Sequence, residues 1–430
     1  MKAPDMSKWK RKRILYFMLI YLLPFRDFPL ILREPVSVRL FDIAVFASLF
    51  GYFLSLMHKD KTLKLNINVL LVFFFYMSWM CIVSLLGLHH HGSQSLILRY
   101  LLLVPFSFVI YFLAYDGSFE IELSWFIRHV IMSLVIGSSI SYLISYANPD
   151  WVKTWAGGIH LEDKGFKTTR FTGFASEPNY WGNLFLFILP VAFIGIFSKS
   201  ARNELRVNRA TLLMLITFVV LTFSTFTHVS TLLAFTCVLL LNFKGVNKRS
   251  MLYFSVIMLA VIGLISYQYL GYVSAKVTTL TTSSSFERFY WAYSAFNMWL
   301  EAPLIGHGSG TYIFNFQNYL SFITIPLAEQ ANSVFFATLA EQGVIGLVFL
   351  SFSMASLGGL LSPRLVLSMK ENIFLKALAI GIVLYIPYFF ITGTLYLYYF
   401  WFYLGAFRGF SEKMAMWHET SVHHNHNMLL

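Results

Sequence analysis

Long apolar runs separated by short polar breaks recur along the whole chain, and several reach the roughly 18 to 20 residues that a helix needs to cross a bilayer. The pattern predicts about twelve such helices, over 14–32, 39–57, 67–87, 96–115, 125–146, 180–198, 210–226, 229–243, 251–269, 333–357, 373–391 and 394–410. An all-α polytopic membrane protein follows, because hydrocarbon tolerates no unpaired backbone groups and only helices or closed barrels satisfy them internally. The alternating pattern of a membrane barrel is absent. Residues 1–430 read as a single integral membrane domain with two large polar intervals, about 147–179 and about 270–332, both expected on the external (periplasmic) face.

Composition sharpens this picture. Of the 430 residues, 57% are hydrophobic, 18% aromatic and only 12% charged, against roughly 25% charged in soluble domains. The formal net charge of +12 does not point to nucleic acid, since the basic residues cluster between predicted spans and in "KWKRKR", Lys8 to Arg13. Positive-inside topology accounts for them. Basic loops at 58–66, 199–209, 244–250 and 362–372 fall on the side of Lys8–Arg13 if spans alternate, which puts both termini in the cytoplasm. One loop on that side, "DGSFEIELS" from Asp116, is acidic, and acidic residues weigh little in orientation. The first apolar run carries no small-residue cleavage site after it and reads as an uncleaved helix. Cys81 and Cys237 sit within predicted spans and read as packing residues.

Candidate chemistry gathers in the two polar intervals. "RFTGFASEPNYWGN", Arg170 to Asn183, combines Arg170, Glu177, Pro178 and Asn179 with an apolar background just ahead of a span. Irregular backbone of this kind is expected to dip into the bundle and line an enclosed or wet cavity. In the second interval, "FERFYWAYSAFNMWLEAP" repeats aromatics at helical spacing and is expected to lie on the membrane surface. Arg288 stands on it, "PLIGHGSGTY" supplies a turn with Gly306, His307 and Gly308, and Glu329 and Asn332 precede a span that contains Glu341. Arginine presents a planar fork of donors that suits phosphate, so Arg170 and Arg288 fit a lipid pyrophosphate, with snorkelling to headgroups as the alternative for Arg288. Glu341 reads either as a functional carboxylate or as a structural residue accepting hydrogen bonds from a neighbouring helix. His228 reads either as a general base or as a turn residue between two helices. The triplet His89–His91 and the tail "HETSVHHNHN" lack acidic neighbours at ligand spacing, so a solvated loop and a disordered tail are expected, with no metal site and no cofactor.

The order "RFTGF..EPN..GN", then "FER...W", "APLIGHGSGTY" and "ANSVFFATLAEQGVIGL" resembles the O-antigen polymerase and ligase superfamily of bacterial envelope proteins. The resemblance implies a metal-independent, inverting glycosyltransferase of surface polysaccharide (lipopolysaccharide) biosynthesis. Such an enzyme works at the external face of the inner membrane on saccharides carried by undecaprenyl pyrophosphate. It also implies that Arg170 and Arg288 hold the pyrophosphate, and that the chain works alongside a chain-length regulator and a flippase. Ligases of the family show a His-Asn or His-Ser pair at the start of the late motif, whereas this chain reads Ala331–Asn332, so the polymerase branch is favoured. Glu177, His228, Glu329 and His307 are the candidates for a base that guides an acceptor hydroxyl. Ligation to a core lipid is the nearest rival, and a saccharide-lipid flippase or transporter the rival of a different class. Against the latter, the polar residues collect in loops rather than at midplane breaks of several helices.

Overall fold

The computed structural model describes residues 6–25, 29–33, 36–57, 67–87, 93–147, 159–163, 167–175, 178–222, 224–241, 247, 249, 251–252, 256, 284–319, 333–360, 362, 365, 369, 372–391 and 397–427. Helices α1 Met6–Leu22, α2 Leu40–Met57, α3 Ile67–Gly87, α4 Ser93–Glu120 and α5 Leu123–Ala147 come first. Next are α6 Pro178–Leu186, α7 Leu189–Phe197, α8 Lys199–Leu205, α9 Arg209–Leu221 and α10 Thr225–Leu240. Then α11 Ser284–Glu301 and the short α12 Tyr312–Asn315 precede α13 Val334–Leu357, α14 Ile373–Val383, α15 Tyr385–Ile391 and α16 Tyr398–Asn427. Polar residues at the edges of apolar runs set several starts. Ser198, Asn208, Ser224, Ser333 and Asn372 each accept a hydrogen bond from a backbone N–H in the first turn they precede.

Among the described residues, four helices are long and apolar enough to cross a membrane: Leu101–Glu120, Leu123–Ala147, Val334–Leu357 and Ile373–Phe390. Tyr180–Leu186 with Leu189–Phe197 makes a fifth if that pair, bent by 57°, is one span. Shorter apolar helices stand at Ile14–Phe25, Leu40–Tyr52, Leu70–Leu85, Arg209–Leu221 and Phe226–Leu240. The chain is a helical membrane protein. The expected span 251–269 falls almost wholly outside the described residues, as do His89–His91.

Several expectations are corrected. The first span does not run to residue 32: a 3-10 turn, Leu23–Phe25, ends it, and an antiparallel hairpin of β1 Pro29–Arg33 and β2 Val36–Arg39 follows. Pro24 and Pro29 cannot continue a helix interior, which explains why an apolar run changes conformation there. The span expected over 180–198 is bent after Leu186, with a proline in the first turn of α7, where its missing N–H costs nothing. The acidic loop from Asp116 is helical to Glu120, with Asp116 and Ser118 buried, leaving only Ile121 and Glu122 between α4 and α5. The basic loop 199–209 contains α8. The tail expected to be disordered continues α16 through Asn427.

The core is built around α4 and α16. A Cβ on Gly405 would overlap the Tyr111 backbone, and one on Gly409 would overlap the Tyr115 carbonyl, so these glycines let the two helices approach closely. Tyr403 stacks on Phe187 with ring centroids 4.4 Å apart and donates to the Leu184 carbonyl at 3.1 Å, joining α16 to the bend between α6 and α7. Midway along α16, Arg408 pairs with Glu412 at 2.5 Å, and the Tyr115 hydroxyl donates to the same carboxylate. Tyr111 donates to the Leu357 carbonyl at 2.9 Å, tying α4 to the end of α13, and Lys413 donates to the Ile121 carbonyl at 2.7 Å, tying α16 to the link between α4 and α5.

Candidate functional site

The interval 147–179 contains a hairpin, β3 Ile159–Asp163 with β4 Lys167–Phe171, whose register sets His160 opposite Arg170. The Arg170 side chain lies outside what is described. Beyond it, Phe171 is buried with its ring 6.0 Å from Trp181, 5.7 Å from Phe218 and 6.0 Å from Tyr142. The Ala175 N–H donates to the Thr172 carbonyl at 3.0 Å across a turn in which Gly173 has φ +57°. A Cβ at Gly173 would also overlap the Trp181 indole, so both the backbone and the neighbouring ring demand glycine. Phe171 to Ala175 are all buried, as a segment dipping into the bundle requires. Glu177 lies outside the described residues; Pro178 and Asn179 open α6, their side chains likewise outside.

Asn183 closes this motif and points inward. It is fully buried, and neither atom of its amide group has a hydrogen-bond partner among the described residues. Its main-chain carbonyl accepts from the Tyr385 hydroxyl at 2.6 Å. Gly182 beside it packs so closely on α10 that a Cβ would overlap the Thr227 side chain.

The second motif is a turn docked on a broken helix. Within α13, Gly343 has φ +67° and ψ −170°, which interrupts the intrahelical ladder. The glycine-rich turn fills that interruption. The Val344 N–H donates to the Pro303 carbonyl at 2.9 Å and the Ile345 N–H to the Leu304 carbonyl at 3.3 Å. In return His307 N–H donates to the Ala340 carbonyl at 3.0 Å and Gly308 N–H to the Glu341 carbonyl at 2.9 Å. Gly306, at φ +69°, leaves no room for a Cβ against the Glu341–Gln342 backbone, and Gly343 leaves none against Leu304. Glu341 is buried, and its carboxylate accepts from the Tyr312 N–H at 3.2 Å. This contact is the structural one of the two roles open to Glu341, with the donor at the end of the glycine-rich turn, where the short α12 begins. The backbone donors of His307, Gly308 and Tyr312 are thus engaged by α13.

The candidate bases divide by what is described. His228, in the first turn of α10, has Nε2 3.0 Å from the Val220 carbonyl of α9, a tie across the turn between the two helices. His307 has Nε2 2.7 Å from the Met298 carbonyl of α11. In a neutral ring that contact places the proton on Nε2 and leaves Nδ1 as the acceptor. Glu329 and Asn332 lie outside the described residues. Arg288 stands partly exposed on α11, one residue before Phe289. Near the turn, Tyr319 donates to Glu301 at 2.5 Å, and burial together with that bond pushes the phenol up to about 12, so it remains a donor at neutral pH.

α15 packs on Asn183 of the first motif and on the starts of α10 and α13. Tyr385 touches Asn183, the Tyr388 ring lies 5.3 Å from Phe226 at the start of α10, and Phe390 stacks 4.2 Å from Phe335 at the start of α13. Sequence reasoning overlooked two features here. One is the break in α13, whose signal is the glycine inside "AEQGVIGL". The other lies on the α3 side of that break, where Trp79 Nε1 and Gln342 Oε1, both near Gly346, have no hydrogen-bond partner among the described residues. Among the described residues no group of three or more His, Cys, Asp or Glu could hold a metal ion.

No curated protein matches the chain. Residues 210–351, which carry α10, α11, the glycine-rich turn and most of α13, match the family model described as O-antigen ligase, and this match supports placing the chain in the O-antigen ligase and polymerase superfamily.

Proposed function

We propose that the protein is a polysaccharide polymerase of the bacterial inner membrane, joining oligosaccharide repeats carried on undecaprenyl pyrophosphate at the external face. In this reading it has about twelve spans, cytoplasmic termini, two external intervals at 147–179 and 270–332, and a chain-length regulator and a flippase as partners. The observation that carries the reading is the packing of α15 on Asn183, which closes the first motif, and on Phe335, which opens the helix carrying the second, through Tyr385 and Phe390. A glycosyl pyrophosphate brings its own leaving group, so the protein must stabilise growing negative charge and aim an acceptor hydroxyl at the anomeric carbon. Arg170 and Arg288 supply the first function, with no metal required. For the second, His228 and His307, each holding Nε2 against a main-chain carbonyl with Nδ1 left to accept, stand beside Glu177 and Glu329 as candidates for the base. A positioned base contributes about 10²–10⁴-fold.

Ligation to a core lipid is the second reading, favoured by the description of the matching family. Purified protein given a synthetic lipid-pyrophosphate repeat, with chelator present, should yield longer lipid-linked glycans. Addition of a core-lipid acceptor then separates the readings, since a ligase would transfer the glycan to that acceptor and leave the lipid-linked chains unextended. Arg170→Ala and Arg288→Ala should each remove most of the product while the protein stays inserted. Polymer of normal amount and length from inserted arginine variants would refute pyrophosphate binding by these side chains.

A further inference from the structure

Residues 284–319 present an apolar surface that the rest of the described chain leaves uncovered. The inner face of α11, with Ser294, Ala295 and Met298, is buried in a cluster with Tyr312, Phe316 and Ala340. The outer face carries Phe289, Tyr293, Phe296 and Leu300, all exposed and spaced by four, three and four residues. Such spacing makes one stripe along a helix. It continues past the end of α11 in Leu304 and Ile305, both exposed and held beside Val344 and Ile345 by the backbone pairing of the turn with α13. Further along α13, Val348 and Phe352 are exposed on a helix long and apolar enough to span the bilayer. The surface of α11 is therefore continuous with the face that α13 turns toward lipid.

The turn also sets a depth. It meets α13 at Val344, ten residues past the first residue of that helix, Val334. At 1.5 Å per residue this is about 15 Å, or half of a hydrocarbon core ~30 Å thick. Non-helical backbone persists at such a level only when protein satisfies its polar groups. The pairing of Pro303, Leu304, His307, Gly308 and Tyr312 with α13 does so, and Gly306, Gly308, Ser309 and Gly310 are buried. Glu301, the last residue of α11 before the turn, receives the Tyr319 hydroxyl.

We propose that residues 284–319 form a re-entrant hairpin rather than a loop resting on the membrane. In it α11 descends beside the first half of α13 into one leaflet and turns at Pro303–Gly310. Acyl chains cover the stripe from Phe289 to Ile305, progressively deeper toward Ile305, and Arg288 stands at the shallow end, level with lipid phosphates.

Depth-dependent quenching on the full chain tests this. Phe289→Cys, Phe296→Cys and Leu304→Cys, each combined with Cys81→Ser and Cys237→Ser, would carry a bimane label. The labelled protein would be reconstituted in phosphatidylcholine–phosphatidylglycerol vesicles brominated either near the glycerol or near the chain end. The label at 304 should lose most fluorescence to the deep bromine and the label at 289 to the shallow one, while aqueous iodide leaves 296 and 304 bright. Equal, shallow quenching at all three positions would mean a helix lying flat and would overturn the proposal. Quenching of 296 and 304 by iodide, or protection of both from lipid and iodide alike by a second copy, would overturn it too. Leu300→Cys and Ile305→Cys replace any labelled variant that is not monodisperse.

Discussion

Glu341 shows how a carboxylate within a span can serve structure. Its acceptor oxygen holds the Tyr312 N–H, and that N–H belongs to the turn docked on α13. Glu341→Ala should leave a buried donor unsatisfied, at a cost of about 1–3 kcal/mol. Glu341→Gln keeps an acceptor in place and should retain most of the stability, read as the thermal midpoint in detergent. Normal unfolding of Glu341→Gln with lost turnover would instead assign the carboxylate to proton transfer. At this scale the sequence announced which residues mattered better than what they touched. "GHGSG" was visible as a glycine-rich turn, but its partners lie over thirty residues later in a stretch that reads as unbroken helix.

Elements were legible where apolar periodicity and caps agree, and obscure where backbone pairing outweighs hydropathy. The expected edges of α2, α3, α5 and α13 fall within two residues of those observed, because polar residues terminate the apolar runs there. The β1–β2 hairpin was missed because Pro29–Leu32 prolong the first apolar run; the prolines and the polar Arg33, Ser37 and Arg39 are what mark it off. The bend between α6 and α7 was missed for the same reason, since both halves are apolar and hydropathy cannot register a change of direction. Within α13, Gly343 occupies a conformation that only glycine adopts comfortably, and the facing Leu304 carbonyl fills the space a methyl would need. Gly343→Ala should therefore destabilise by about 1–3 kcal/mol or more and detach the turn. Limited proteolysis should then cut within 302–311 faster than in the parent chain, and unchanged cutting would show that the turn does not depend on the break.

Across the whole molecule, two regions of the bundle are held by different chemistry. The region with the motifs rests on aromatic rings and on buried amide and hydroxyl groups, whereas the α4–α16 contact is pinned by the Arg408–Glu412 pair with Tyr115. Glu412→Ala should leave Arg408 uncompensated, with a loss on the order of 3 kcal/mol. Arg408→Met combined with Glu412→Leu should recover much of that loss, measured by the same thermal midpoint. A single-variant effect below about 0.5 kcal/mol would place the pair with weak, solvent-screened ion pairs. The backbone exchange at the α13 break has its own outcome for amide hydrogen exchange. The N–H groups of Val344 and Ile345 are protected by carbonyls of another segment, and those of His307 and Gly308 by carbonyls of α13, so neither set can open while the other stays closed. Deuterium should enter all four amides at a common rate, slower than at exposed helix ends and faster than in the α4–α16 core, so that the middle of this span breathes before that core does.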